Sequence, residues 1–147
     1  MTVNMLIEAI SAALNSEFGD EYEIHMEEIR QDLKEPCFFI QSLKPKTEQF
    51  FGVRYHQRYD FCIQYFPKTL EIQRECNDTG ERMYRSLEYI VIPDGRPVRG
   101  TEMNYEVLDS VLNFYVNYDS FVIRAEEEDH MEEVTHKVVP KEDFYGG

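Results

Sequence analysis

The sequence has no tryptophan, only three cysteines, and 15 Lys and Arg against 29 Asp and Glu in 147 residues. The resulting formal net charge of −14 excludes a protein that wraps nucleic acid, because phosphate binding requires an excess of basic residues. No apolar run approaches the roughly 20 residues of a membrane-spanning helix, so no membrane partner is expected. The first residues lack a basic segment and include Glu8 and Glu17, so no secretory signal is expected.

Cysteine usage points to a reducing compartment. Cys37, Cys62 and Cys76 are odd in number and widely spaced, which does not suit a disulfide framework. Each lies in an apolar pattern, so we expect three buried structural thiols.

Apolar and aromatic residues are plentiful. Hydrophobic residues make up 42% of the chain, including 10 Tyr and 10 Phe, which is enough for the core of one domain. We expect that domain to span residues 1–125. Residues 126–147 carry a net charge of −6, and such an acidic run is typical of a flexible tail. Within it, Val134–Val139 is expected to pair as an edge strand where a partner supplies one.

The first half of the chain contains one helix and three strands in its hydrophobic pattern. The expected elements are a helix ending at Gly19, a short strand around Ile24, a strand over Cys37–Leu43 and a long alternating strand over Val53–Phe66. Lys44–Gly52 is expected to be a hairpin loop, although a loop tip rarely carries two adjacent phenylalanines. The long strand is expected to bend or to project beyond the domain.

The second half predicts a helix followed by a hairpin. Apolar residues from Ile72 to Ile90 lie on one helical stripe, which a turn around Gly95 closes. Strands on either side of Asp109-Ser110 follow, and Asp119-Ser120 predicts a bulge or a register change. The order of elements predicts an α+β fold, with a mainly antiparallel sheet and two flanking helices.

No catalytic motif, cofactor motif or metal-ligand spacing is present, so we expect neither an enzyme nor a cofactor. His56 and Cys62 share a strand face but lie about 20 Å apart, too far for proton transfer. His130 and His136 fall in the acidic tail without a recognised ligand spacing. The many carboxylates are expected to form a solvated surface.

Two features remain that are typical of a binding surface. Arg54, His56 and Arg58 form a basic stripe on one strand face, and Phe50 and Phe51 are adjacent aromatics near a turn. Exposed aromatics often mark binding sites, and an acidic protein that self-assembles needs complementary positive patches. The predicted interface residues are Gln49, Phe50, Phe51, Arg54, His56 and Arg58.

Four strings of the sequence resemble one known family. They are KEPCFFIQSL (Lys34–Leu43), RYDFCIQYFP (Arg58–Pro67), ERMYRSLEYI (Glu81–Ile90) and RGTEMNYEVLDSVLNFYVNYDSFV (Arg99–Val122). The chain is similar over residues 5–125 to the phage tail terminator proteins. These occur in tailed phages and in prophage-derived, tail-like particles of Gram-positive bacteria.

The resemblance implies a structural role. Such proteins form a ring, usually of six subunits, on the end of the tail tube, where they stop polymerisation of the tube protein and present a surface to the neck. The family fold is an α+β sheet flanked by helices. The implied partners are further copies of the chain, the tube protein and a neck or head-completion protein. The implied location is the virion tail, assembled in the host cytoplasm, with DNA in transient passage through an acidic lumen.

Other functions remain open on the sequence alone. Another head–tail connector or neck protein belongs to the same class. An acidic DNA-mimic inhibitor belongs to a different class, although here the acids are mixed with arginines. An enzyme with two converging carboxylates is a more distant alternative.

Overall fold

The structure is a computed structural model that describes residues 1–27, 33–126 and 136–140, with side chains described as far as residue 123. Within these residues the chain forms two helices and eight strands. The helices are α1 (Val3–Phe18) and α2 (Ile72–Leu87). The strands are β1 (Glu23–His25), β2 (Cys37–Ser42), β3 (Lys46–Phe51), β4 (Arg54–Phe66), β5 (Tyr89–Val91), β6 (Pro97–Leu108), β7 (Val111–Glu126) and β8 (His136–Pro140).

The strands form one mostly antiparallel sheet in the order β1-β2-β4-β7-β6-β5. Strand β3 pairs with β4 and strand β8 pairs with β7, while the short β1 runs parallel to β2. This architecture confirms the predicted α+β class.

Helix α1 begins and ends at the residues that its sequence indicates. The Thr2 side chain accepts a hydrogen bond from the Met5 N–H at 3.2 Å, which satisfies one of the backbone donors left open at a helix start. Gly19 follows the last turn with φ +93°, a conformation that glycine adopts without strain.

Both helices pack on the same face of the sheet. Apolar helix residues three or four positions apart contact every second residue of β2, β4 and β7. One face of a helix repeats about every 3.6 residues, and one face of a strand repeats every two. The largest fully buried side chains are Tyr65, Tyr118, Phe38, Phe61, Phe114, Leu6, Ile10, Leu14, Ile40, Ile63, Met83 and Leu87. Cys37, Cys62 and Cys76 are free and buried, which confirms the prediction for the thiols.

The two long central strands extend beyond this core. β4 and β7 pair without a register shift from Arg54 opposite Ile123 to Tyr65 opposite Leu112. Their inner halves lie between β2 and β6, and their outer halves lie between β3 and β8. Tyr59 is the outermost core residue of β4. The strand therefore continues for five residues, about 17 Å, past the last core residue of β4. On the neighbouring strand β7, Val122 is still buried opposite Tyr55.

Two sequence-based boundaries are wrong. The expected loop Lys44–Gly52 contains strand β3, whose backbone groups pair with β4. The turn is confined to two residues because Gly52 takes φ +56°. The second helix ends at Leu87, whereas Ile90 is a buried residue of β5 that pairs with Val98 of β6. The predicted helix was too long because α2 and the three-residue strand β5 bury their apolar residues in the same core. The sequence pattern therefore shows no break between them.

The expected bulge at Asp119-Ser120 is also wrong. These polar residues continue β7 because each has a cross-strand partner: Asp119 accepts from His56, and Ser120 donates to Gln57. Register shifts occur instead in β3, between Gln49 and Phe51, and in β6, between Thr101 and Asn104.

The acidic C-terminal segment contributes a strand. His136–Pro140 pairs with β7, so the partner strand expected for Val134–Val139 comes from the same chain. The domain boundary at residue 125 and the flexibility of the tail stay predictions, since residues 127–135 and 141–147 lie outside the described residues. His130 lies there too.

Candidate interface on the projecting arm

The six predicted interface residues lie on one hairpin that extends past the core. We call residues 44–58, which contain β3 and the outer half of β4, the arm. All six residues of β3 are exposed, and the pairing places Phe51 opposite Arg54 next to the turn. The structure therefore gathers the six residues on one element.

An apolar cluster covers one end of the arm. The side chains of Phe50 and Phe51 are 52% and 69% exposed, and Val53 in the turn is exposed as well. The Phe50 ring meets the exposed Phe121 ring of β7 edge to face, with 5.6 Å between their centroids. Adjacent exposed aromatics of this kind are typical of a surface that a partner covers.

His56 is fixed by two contacts with β7. Its ring stacks on Phe121 at a centroid distance of 4.7 Å, and its Nε2 lies 2.9 Å from Oδ2 of Asp119. The second carboxylate oxygen of Asp119 is buried without a hydrogen-bond partner. His56 thus connects the arm to Phe121 and Asp119 of β7.

Arg58 points back to its own sheet. Its Nη2 atom donates to both carboxylate oxygens of Glu102, at 2.8 and 2.9 Å, and its Nε atom lies 3.4 Å from Asp60. The hydrogen bond to Glu102 raises the pKa of the Arg58 guanidinium above its ordinary value. Arg58 therefore has an acidic partner within its own chain.

Gln49 shapes the turn. Its side-chain amide donates to the Gly52 carbonyl at 2.5 Å, next to the register shift in β3. At this shift, two residues of β3 lie opposite one residue of β4, and this changes the direction of the side chains there. This irregularity separates Phe50, which packs on Phe121, from the more exposed Phe51.

The arm is positively charged in an acidic protein. Residues 44–58 carry a net charge of +3, against −14 for the whole chain. The basic residues are Lys44, Lys46, Arg54 and Arg58, and Glu48 is the acidic one. The element that bears the exposed aromatics is therefore net basic in sequence, and one of its four basic residues, Arg58, is paired with Glu102 of β6.

Sequence reasoning missed the residues of neighbouring strands that hold the arm. These are Phe121 and Asp119 of β7 and Glu102 of β6. The signal for Phe121 was available, because it is an apolar residue on the polar alternation of β7. Glu102 had no such signal, since its reach to Arg58 depends on the β6 irregularity, where its φ is +52°.

The buried thiols are poor nucleophiles. Burial raises the pKa of Cys37 to about 11 and also raises the pKa of Cys62 and of Cys76. A thiol reacts as its thiolate, so these groups stay largely unreactive near neutral pH.

Among the described residues, no three His, Cys, Asp or Glu side chains are grouped to hold a metal ion. Within the same ranges, neither helix has the length and apolarity to cross a membrane.

Comparison with known families gives one result. The model of a family described as phage tail terminator protein matches residues 5–130. No match is found among curated proteins.

Proposed function

This chain belongs to the phage tail terminator protein family and is thus a structural component of a phage tail, and from this premise we propose that it caps the tail tube as a ring. The ring ends elongation of the tube and offers a docking surface to the head or neck. A hexamer of the 17.5 kDa chain has a mass of about 105 kDa. The protein assembles in the host cytoplasm and stays in the virion tail.

The arm is the observation that supports a ring. It reaches past the core, carries exposed aromatics at its end and has the opposite charge to the rest of the chain. A projecting element with these properties contacts a surface outside its own subunit. The six residues Gln49, Phe50, Phe51, Arg54, His56 and Arg58 belong to the contact between subunits, and the tube protein and a neck protein bind the two faces of the ring.

The acidic surplus has a role in the same proposal. DNA must pass through the ring without binding to it, and carboxylates repel phosphate over a Debye length of about 8 Å at physiological salt. Some of the excess Asp and Glu side chains line the lumen. Neutralising them is expected to slow DNA passage or to retain DNA in the tail. Unchanged DNA ejection in a variant with a neutral lumen contradicts this part of the proposal.

The direct test mixes the purified protein with its tube protein. Light scattering is expected to detect a ring of about 105 kDa, alone or on tubes, and electron microscopy is expected to show shorter tubes with labelled ends when no heads are present. A connector protein labels tube ends only together with a neck or head. Capture of a nuclease or polymerase alone indicates a DNA mimic, and a monomer that neither assembles nor shortens tubes contradicts a terminator.

A further inference from the structure

A surface groove lies beside the first helix, away from the arm. One side of α1 and the segment from the end of α2 through β5 enclose a space of about 370 Å³. Its lining residues are Ala9, Ala12, Ala13, Ser16, Glu17, Ser86, Tyr89, Ile90 and Val91. A cavity of about 150 Å³ holds a benzene ring, so the groove has room for two phenyl rings.

The groove is built to receive apolar side chains. Its α1 side is made of three alanines, Ser16 and Glu17, and the small side chains leave the helix backbone accessible at close range. Its other side presents Tyr89 and Val91, which are 59% and 58% exposed and point out of a strand whose middle residue is buried. Exposed apolar residues beside an open groove are unfavourable in water until a partner covers them.

The arm of the same chain cannot fill this groove. Strand β4 is hydrogen-bonded to β3 on one edge and to β7 on the other along its outer half. Phe51 is therefore held at the level of Arg54, about 17 Å along the strand from the last core residue, Tyr59. The groove lies on the helix side of that core. An arm that enters the groove must therefore come from another molecule.

The segment that contains α1 and the arm also differ in net charge. Residues 1–27, which include α1, contain six acidic residues and no Lys or Arg. The arm carries a net charge of +3. Opposite charges on two surfaces accelerate their encounter and favour one orientation of the complex. Of these acidic residues, Glu17 lines the groove, and its carboxylate is paired with Arg82 at 2.9 Å.

We propose that the arm of one subunit inserts Phe50 and Phe51 into the groove between α1 and β5 of the next subunit. The two contact surfaces differ, so the interface is head-to-tail, and repetition of such a contact closes a ring when the rotation per subunit fits. This inference rests on the proposed function and specifies how one subunit recognises the next.

Site-specific crosslinking tests the contact. The double variant V53C/V91C is treated with a short bis-maleimide at neutral pH, with and without the tube protein. Val53 is exposed in the turn beside Phe51, so its replacement leaves both phenylalanines in place. The native thiols are buried and react poorly. We expect a ladder of covalent multimers that extends to the full ring, while V53C alone and V91C alone stay monomeric on denaturing gels.

The matched control is V53C/L108C. Leu108 is 51% exposed, similar to Val91, and lies next to the β6–β7 turn. This variant is expected to give no ladder. Assembly without crosslinking of V53C/V91C overturns the inference alone. Dimer formation by V53C alone also overturns it, because that result indicates arm-to-arm contact. A specific ladder from a protein that leaves tube length unchanged contradicts the proposed function alone. No assembly and no ladder contradict both.

Discussion

Gly100 lies where β6 passes the end of α2, and the contact depends on its missing side chain. A Cβ atom there would be 2.7 Å from the Leu87 carbonyl oxygen and 2.9 Å from Val116. The same carbonyl accepts a hydrogen bond from the buried Tyr118 hydroxyl at 2.6 Å. The neighbours therefore have little freedom to move away.

Gly100→Ala is expected to lower the free energy of unfolding by about 1–3 kcal/mol, the usual cost of overpacking. Gly80→Ala is the matched control. Its Cβ would also come within 2.7 Å of a neighbour, but that neighbour is the ring of the half-buried Tyr105, which can rotate. Alanine also gains about 1 kcal/mol of helix propensity. Chemical denaturation that shows equal losses for both variants contradicts this assignment.

The Glu75 side chain of α2 holds the segment between β4 and α2 in place by hydrogen bonds. Its carboxylate accepts from the backbone N–H groups of Lys68 and Thr69 and from the hydroxyls of Thr69 and Tyr65. Partial burial alone would raise the pKa of Glu75, but these hydrogen bonds outweigh it and hold that pKa below the ordinary value of 4.5.

A carboxyl group whose pKa is depressed on folding stabilises the protein above its unfolded-state pKa. This contribution is lost as the pH falls from about 4.5 through the folded-state value. Glu75→Gln replaces an acceptor with an amide that faces donors, so it is expected to cost about 1–2 kcal/mol at pH 7. The stability gap from the unmodified protein should shrink below pH 4.5. A gap that stays constant in denaturation curves between pH 7 and pH 3 contradicts the role of ionised Glu75.

At the scale of elements, the arm separates folding from assembly. Its aromatic side chains add little to the core, because Phe51 is largely exposed and all of β3 is exposed. The hairpin is held by backbone pairing with β4 and by the contacts of His56 and Arg58 with neighbouring strands. Changes at its surface should therefore affect association and leave folding intact.

Phe51→Asp is expected to change the unfolding free energy by less than about 0.5 kcal/mol and to abolish self-association. Leu70→Asp is the control, since Leu70 is an exposed apolar residue on the β4–α2 connection, outside the arm. Thermal unfolding measures stability, and sedimentation measures assembly. Loss of assembly in both variants indicates a general effect of the new charge, and assembly by Phe51→Asp contradicts the role of the arm.

Periodicity predicted the long strands well and short or irregular elements poorly. The alternation through Val53–Phe66 was enough to identify β4, since every second residue from Tyr59 to Tyr65 faces the core. Strand β3 has no buried face, so its hydrophobic pattern gave no strand signal, and only pairing with β4 defines it. The three residues of β5 are too few for a period to separate them from the preceding helix.

At the scale of the whole molecule, charge is divided between surfaces. The arm is net positive, whereas residues 1–27 contain only acidic charges. Exposed charges act over about 10 Å at 0.1 M salt and about 3 Å at 1 M salt. An association steered by these surfaces should therefore weaken as the salt concentration rises.

Lys46→Glu reduces the arm charge from +3 to +1 and is expected to slow association several-fold at low salt, with a smaller salt dependence than the unmodified protein. Lys68→Glu makes the same change in net charge outside the arm and is the control. Stopped-flow light scattering between 0.05 and 0.5 M NaCl, a range that spans most of the screening effect, measures both. Equal slowing by the two variants indicates that only net charge matters.

The sequence alone determined the composition of the core, the α+β class, the buried thiols, the excess of acid and the family likeness, because these follow from residue type and local periodicity. Only the tertiary structure decided that β3 pairs with β4, that Phe121 and Asp119 support the arm, and that a groove lies between α1 and β5. These features join residues far apart in the chain, and strand pairing, which depends on backbone hydrogen bonds and not on residue type, brings them together.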